Sequence, residues 1–363
     1  VIRVSEPHFG PEVEALVLEV LRSGQVAQGP MVARFEELGA AMAGTRSAVA
    51  VANGTVSLEA SLEALGVGPG DEVITTPFTF AATINAALRS GATVRFADIL
   101  PDFTIDPAAV AALVGPDTVA VVPVHLYGLP ADMDGIMALA GRHGLAVVED
   151  AAQAHGASLH GRRVGSFGVG SFSFYATKNV ACGEGGLITS SDEALVRRLR
   201  QLRNQGMVER YRYETVGRNL RMTDLQAALG VPQLERLDAT NERRGANAAM
   251  LNKLLDGVDG LTLPGIPPGR TPVWHQYTVL LPAGADRDGV ADRMRAAGVE
   301  SGVYYPRLVW DYRVYREHPG VVQDDTPRAR GAADRCLSLP VHPRLGPAEL
   351  ERVAEALIGA LQA

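Results

Sequence analysis

The stretch TVAVVPVHLYGLPADMDGIMALAGRHGLAVVEDAAQAHGA (residues 118–157) decides the fold. It opens on an apolar run, TVAVVPV (118–124), passes through a helical pattern at 132–143, and returns to a second apolar run, LAVVED (145–150). Neither run alternates polar with apolar residues, which suits strands covered by helices on both faces. Strand, helix and strand in this order make a βαβ unit with parallel strands.

The same texture continues on both sides. Helical patterns fall near 11–23, 31–42, 55–66, 80–90, 107–114 and 192–204. Strand-like runs are SAVAVA (47–52), EVITT (72–76), TVRFAD (93–98), GSFSFYA (170–176) and GLITS (186–190). Residues 1–240 therefore read as a large α/β domain with a mostly parallel sheet. A long helical stretch is expected at 223–256, continuous or broken, with Pro232 as its obvious kink point. GLTLPGIPPGRTP (260–272) reads as a connector. Beyond it a strand (HQYTVLL, 275–281), a helix (286–297), a strand (VESGVYY, 299–305) and a closing helix (347–361) make a smaller α+β domain, 241–363. No internal repeat is visible.

With 363 residues, 47% hydrophobic and 21% charged, the chain can bury a large interior in about two domains. Acidic side chains outnumber basic ones 41 to 34, a formal charge of −7. A general grip on nucleic-acid phosphates or an anionic membrane needs the opposite balance, so neither is an expected partner. No apolar run approaches the roughly 20 residues of a membrane span. The opening VIRVSEPHFG carries no basic segment followed by an apolar one, so no signal peptide is expected. Cys182 and Cys336 lie far apart without metal-ligand or CxxC spacing, so no metal site and a reducing, cytoplasmic setting are expected.

Of the 34 basic residues only two are lysine, Lys178 and Lys253. Arginine neither deprotonates nor forms an imine, whereas lysine does both. Lys253 occupies a polar position of a helical pattern, where a solvated charge suffices. Lys178 sits in SFSFYATKNVACGEGG (171–186), among aromatic, hydroxyl and glycine residues, where that reading fits poorly.

Open α/β sheets bind ligands beyond the carboxyl ends of their strands. After 47–52 comes Asn53-Gly54-Thr55, directly before a helical pattern. A helix N-terminus there reads as an anion site or as a plain cap. After LAVVE comes Asp150, whose buried carboxylate needs a partner. An arginine would serve, as would the protonated ring nitrogen of pyridoxal phosphate. Ser173, five residues before Lys178, is placed to reach a phosphate. Phe80, after the strand at 72–76, reads as core or as a ring stacked on a flat cofactor.

EDAAQAHGA (149–157), SFSFYATKN (171–179) with GEGG (183–186), and GRNLRMTDLQAAL (217–229) resemble the DegT/StrS-type sugar aminotransferases, of the fold-type I pyridoxal phosphate enzymes. The resemblance extends to GPEVEALVLEVLRSGQVAQGP (10–30), NGT (53–55) and GDEVITTPFTFAAT (70–83), and so covers nearly the whole chain. It implies an aspartate-aminotransferase-like fold and pyridoxal 5'-phosphate as cofactor. It further implies that Lys178 forms the imine and shuttles the proton, that Asp150 pairs with the pyridine nitrogen, and that Gln153 lies near the 3-hydroxyl. Gly54, Thr55, Val56 (through its backbone) and Ser173 would hold the phosphate, and Phe80 would stack on the ring. Asn219 would reach the phosphate of the neighbouring subunit, which implies a homodimer with shared sites. The implied partners are a nucleotide-linked keto sugar and an amino-acid donor, glutamate by analogy. The family often has Tyr at position 218 and His near 304. Arg218 and Tyr304 stand there instead, near the expected sugar-nucleotide site, and put substrate identity in question.

The alternatives are a related reaction on a cyclitol ketone or an amino-hydroxybenzoate precursor, a nicotinamide dehydrogenase, and a non-catalytic sensor. In GVGPG (66–70) and FGVGSF (167–172) the glycines precede strands, the wrong context for a dinucleotide fingerprint. A sensor would be expected to lose Lys178 or Asp150, and a dehydratase of this branch carries His in place of the lysine.

Overall fold

Seven strands form the central sheet of the computed structural model, which describes residues 1–362. In chain order they are β1 (Ser47–Val51), β2 (Glu72–Thr75), β3 (Thr93–Phe96), β4 (Thr118–Val121), β5 (Ala146–Asp150), β6 (Val169–Ser173) and β7 (Gly186–Ser190). Across the sheet the order is β1-β7-β6-β5-β4-β2-β3. β2 lies parallel to β3 and β4, β4 to β5, and β5 to β6. β7 runs antiparallel to both β1 and β6, so it alone is reversed and six strands share a direction. The carboxyl ends of those six meet at one edge, which the site occupies.

The apolar runs without alternation have the expected cause. Val49 and Val51 of β1 pack with Leu58 and Leu62 on one face of the sheet. Ala48 and Ala50 pack with Phe35 and Phe172 on the other. Successive strand side chains point to opposite faces, so a strand buried on both cannot alternate.

The later part of the chain departs from expectation in two places. The long helical stretch is two helices, Asp224–Glu235 and Leu237–Leu255, broken at Arg236 rather than at Pro232. Proline removes one N–H, but Gln233 Nε2 supports that turn by donating to the carbonyls of Leu229 (2.6 Å) and Ala181 (2.8 Å). VESGVYY is not a strand: it makes only single bridges, Val299 to Ile2 and Gly302 to Ser338. The true partner of β8 (Tyr277–Leu280) is β9 (Cys336–Leu339), antiparallel to it. β9 has four residues and follows directly on the helix Pro327–Arg335, too short a run for periodicity to mark. In the Gly/Pro-rich connector, Arg270–Thr271 pairs with Ser158–Leu159.

Packing crosses residue 240 in both directions. Ile2 joins the core of Tyr277, Val299 and Leu357. Trp310 packs edge-on against Phe96 of β3, with ring centroids 4.7 Å apart. Among the described residues, no helix is long and apolar enough to cross a membrane.

Candidate active site

At the end of β1, Asn53 caps the helix Gly54–Ala64, its Oδ1 accepting the N–H of Val56 at 3.0 Å. Val56 lines the cavity, but its N–H is taken by that cap. Gly54 and Thr55 therefore supply the free backbone donors at a helix terminus that favours negative charge. Ser57 on this helix bonds to Ser171 of β6 through their hydroxyls, drawing the two elements together. The approach is so close that a Cβ on Gly54 would lie 2.6 Å from Ser173 Cβ. Gly186, the last glycine of GEGG, is needed for the same reason: a Cβ there would lie 2.2 Å from the Asn53 carbonyl oxygen.

Asp150 ends β5 and is 6% exposed. Its Oδ2 accepts from Thr83 Oγ1 (2.7 Å) and its Oδ1 from the Ala152 N–H (3.2 Å). Burial raises its pKa, while Thr83, Ala152 and the charge of Lys178 pull it back. No arginine or lysine pairs with it among the described residues, so the salt-bridge reading fails. Its neighbour Glu149 anchors the strand end, accepting from the N–H groups of Gly165 (2.8 Å), Phe167 (2.8 Å) and Gly168 (2.9 Å). Glu149 also faces His125 Nε2 at 3.1 Å. Because His125 Nδ1 accepts from Ala131 N–H (2.9 Å), Nε2 is the nitrogen that donates.

Lys178 follows β6 in a turn, its N–H donating to the Tyr175 carbonyl at 2.9 Å. Burial lowers its pKa to about 8 against the opposing pull of Asp150. Lys253 is exposed on the helix Leu237–Leu255.

Lys178, Asp150, Ser173, Gln153, Phe80 and the 54–56 turn all line one cavity of about 670 Å3. Gln153 is held at both ends of its amide, Oε1 accepting from Tyr127 N–H (2.6 Å) and Nε2 donating to Tyr305 Oη (3.3 Å). Phe80 is 60% exposed at the mouth, so it is not a core residue, and its ring lies 6.1 Å from that of Tyr305.

Asn219 is exposed and does not line this cavity. Within its own chain its Oδ1 accepts the Arg221 N–H at 3.4 Å, while Thr223 caps the helix Asp224–Glu235 in a capping box with Gln226. Asp224 in turn caps the helix Pro30–Ala43, accepting from the N–H groups of Gly29 and Val32 at 2.8 and 2.9 Å. Arg218 turns from the cavity to Glu59 (3.3 Å) and Glu63 on the chain's own helix. Those two carboxylates hold it, like Asn219, outside this chain's cavity. Tyr304 does line the cavity.

Sequence reasoning missed Thr83, Tyr305, His275 and Arg244. Thr83 stands three residues after Phe80 in PFTFAAT, at helical spacing, and that was a usable signal. For the others only folding supplies one.

The residues fit pyridoxal 5'-phosphate. A helix terminus with free donors, beside a glycine that admits no Cβ, suits a phosphate. A buried carboxylate without a cation suits a protonated ring nitrogen, and a lone amine stands near it. Fold and site together define a fold-type I, pyridoxal-phosphate-dependent transaminase.

The chain belongs to the DegT/DnrJ/EryC1/StrS aminotransferase family, whose sequence model matches residues 7–358. It is 42% identical to the dTDP-3-amino-3,4,6-trideoxy-alpha-D-glucose transaminase of Streptomyces venezuelae, over 95% of this chain and 91% of the relative. It is 40% identical to the UDP-N-acetyl-3-dehydro-alpha-D-glucosamine 3-aminotransferase of Acidithiobacillus ferrooxidans, over 96% of this chain and 95% of the relative. The crystal structure of S. venezuelae DesV in complex with a ketimine intermediate superposes with a TM-score of 0.92 at 41% identity, covering 97% of this chain and 95% of DesV.

Proposed function

We propose that this chain moves an amino group from glutamate to a keto group on a nucleotide-linked deoxysugar, acting as a cytoplasmic homodimer. The observation that carries the reading is Lys178 and Asp150 together in one cavity with a phosphate cradle, in a chain at least 40% identical to the two nucleotide-sugar aminotransferases. The two free cysteines, both buried, agree with a reducing compartment.

Bound pyridoxal phosphate supplies the electron sink for transamination. The N–H groups of Gly54 and Thr55 and the Ser173 hydroxyl hold its phosphate. Asp150 keeps its ring nitrogen protonated, and Thr83 keeps Asp150 ionised and aimed. Burial lowers the pKa of Lys178 Nζ, which favours the neutral form that a proton acceptor needs. In that form it would take the proton from the donor carbon that bears the amine and deliver it within the same half-reaction. In the second half-reaction it would carry a proton in the opposite direction, on to the keto carbon.

The test is a panel of keto compounds offered to the amine-loaded enzyme: UDP- and dTDP-linked 3- and 4-keto sugars, cyclitol ketones and an amino-hydroxybenzoate precursor. Return of the cofactor's long-wavelength absorption with a keto sugar nucleotide is expected. Turnover with a cyclitol ketone or the ring precursor alone would overturn the reading.

A further inference from the structure

The cavity has a second charged wall. Arg244, on the helix Leu237–Leu255, lines it and is 7% exposed. Among the described residues no carboxylate lies within 4.0 Å of its guanidinium. Its hydrogen-bond partner is the Trp274 carbonyl, reached by Nη1 at 3.1 Å, and its Nε has none. A guanidinium carries five donors, so most of its capacity faces no protein acceptor. An unpaired buried charge is costly unless a ligand completes it.

The neighbours do not neutralise it. His275, also on the cavity wall, binds Asn179 Oδ1 through Nδ1 at 3.1 Å, and burial holds it neutral. Gln276 lines the same wall with its Oε1 unpartnered. Arg244 and Lys178 both act electrostatically on His275 and on His155, so the two cations share one neighbourhood. The cofactor's phosphate already has its cradle on a different helix and does not require Arg244.

We propose that Arg244 is a carboxylate subsite, and that it seats the amino donor as an amino acid through a forked pair of hydrogen bonds. This rests on the transaminase reading but not on the identity of the keto substrate. Three points favour a carboxylate over the diphosphate of a sugar nucleotide. The donor's reacting carbon must reach Lys178, and in an amino acid a carboxylate is attached to that carbon. A guanidinium matches a carboxylate edge to edge. A nearly buried arginine suits a small planar anion better than a diphosphate that carries a nucleoside.

The test measures binding to the holoenzyme by calorimetry, with glutarate as a donor mimic that has no amine and UDP and dTDP as nucleotide probes. Arg244→Gln is expected to weaken glutarate about 30-fold and to leave UDP and dTDP within about twofold, as loss of a charge-assisted pair implies. Should Arg244→Gln fail to fold, Arg244→Lys keeps the charge without the fork and is expected to weaken glutarate about tenfold. Glutarate that does not bind the wild-type enzyme, or binds the variant equally well, overturns the proposal. So does loss of nucleotide with glutarate retained, which would make Arg244 a diphosphate seat. Equal loss of both probes would make it a prop for the cavity wall, and also overturns it. Arg244-dependent glutarate binding without any nucleotide binding would overturn the sugar-nucleotide reading alone.

Discussion

Thr83 Oγ1 donates a 2.7 Å hydrogen bond to Asp150 Oδ2 across 67 residues of chain. Thr83 has one proton and spends it there, so the 3.0 Å contact between the Thr79 and Thr83 hydroxyls has Thr79 as its donor. The hydroxyls of two buried threonines thus polarise towards a single buried carboxylate. Thr83→Val should keep the cofactor but slow transamination about tenfold, the scale of one hydrogen bond to a charged group. Burial raises the Asp150 pKa and Thr83 opposes it, so the acid limb of kcat against pH should move to higher pH. Thr83→Ser should restore both. An unmoved acid limb would leave Thr83 a packing residue.

Asp150→Asn should still bind the cofactor and lose at least about 100-fold in turnover, because a neutral amide does not hold the ring nitrogen protonated. Single-turnover kinetics with the donor check this. Near-normal rates would mark Asp150 as a structural acid.

The purified protein should be yellow, and borohydride should fix the cofactor to the peptide that contains Lys178. Peptide mass mapping separates this from Lys253, the other lysine. Label on Lys253, or no cofactor after reconstitution, sinks the assignment.

In the apoprotein the Lys178 pKa falls from an ordinary 10.5 to about 8. Between these pH values the unfolded chain holds a proton that the folded chain has released. Stability should therefore rise with pH through that window. Lys178→Met removes the group and with it this rise. The check is the difference in Tm between apoprotein and variant, followed from below pH 8 to above pH 10.5. A flat difference would contradict the lowered pKa.

Asn219 lies outside its own chain's cavity, as a residue serving a partner's site must. Lys178→Ala and Asn219→Ala should each be impaired as homodimers. A dimer with one chain of each has one site with both lesions and one with neither, so about half of the wild-type activity should return. No recovery in dimers shown to have exchanged subunits would place Asn219 at its own site or at none.

Much of the frame was legible locally. The sheet strands and the helices between them fall where the apolar runs and helical periods stand, because burial on one or two faces imprints a period on the residues themselves. Lys178 and Asp150 were legible for chemical reasons: one of only two lysines lies in a glycine-rich turn, and an acid ends an apolar strand. The small residues around the site had a cause that sequence alone did not reveal. Gly54 and Gly186 are there because Ser173 and Asn53 come too close for a Cβ.

What remained depended on partners distant in the chain. The reversal of β7, the pairing of β8 with β9 and the break at Arg236 follow from contacts that no local window contains. The same holds for the acidic residues of the site. Local sequence marked Asp150 by its place at a strand end but not what either acid would meet: folding gives Glu149 the N–H groups of Gly165, Phe167 and Gly168 and leaves Asp150 without a cation. Arg244 reads as an ordinary polar residue of an amphipathic helix. Only the packing of that helix against the cavity makes it a buried charge without a partner, because periodicity reports that a face is covered and not by what.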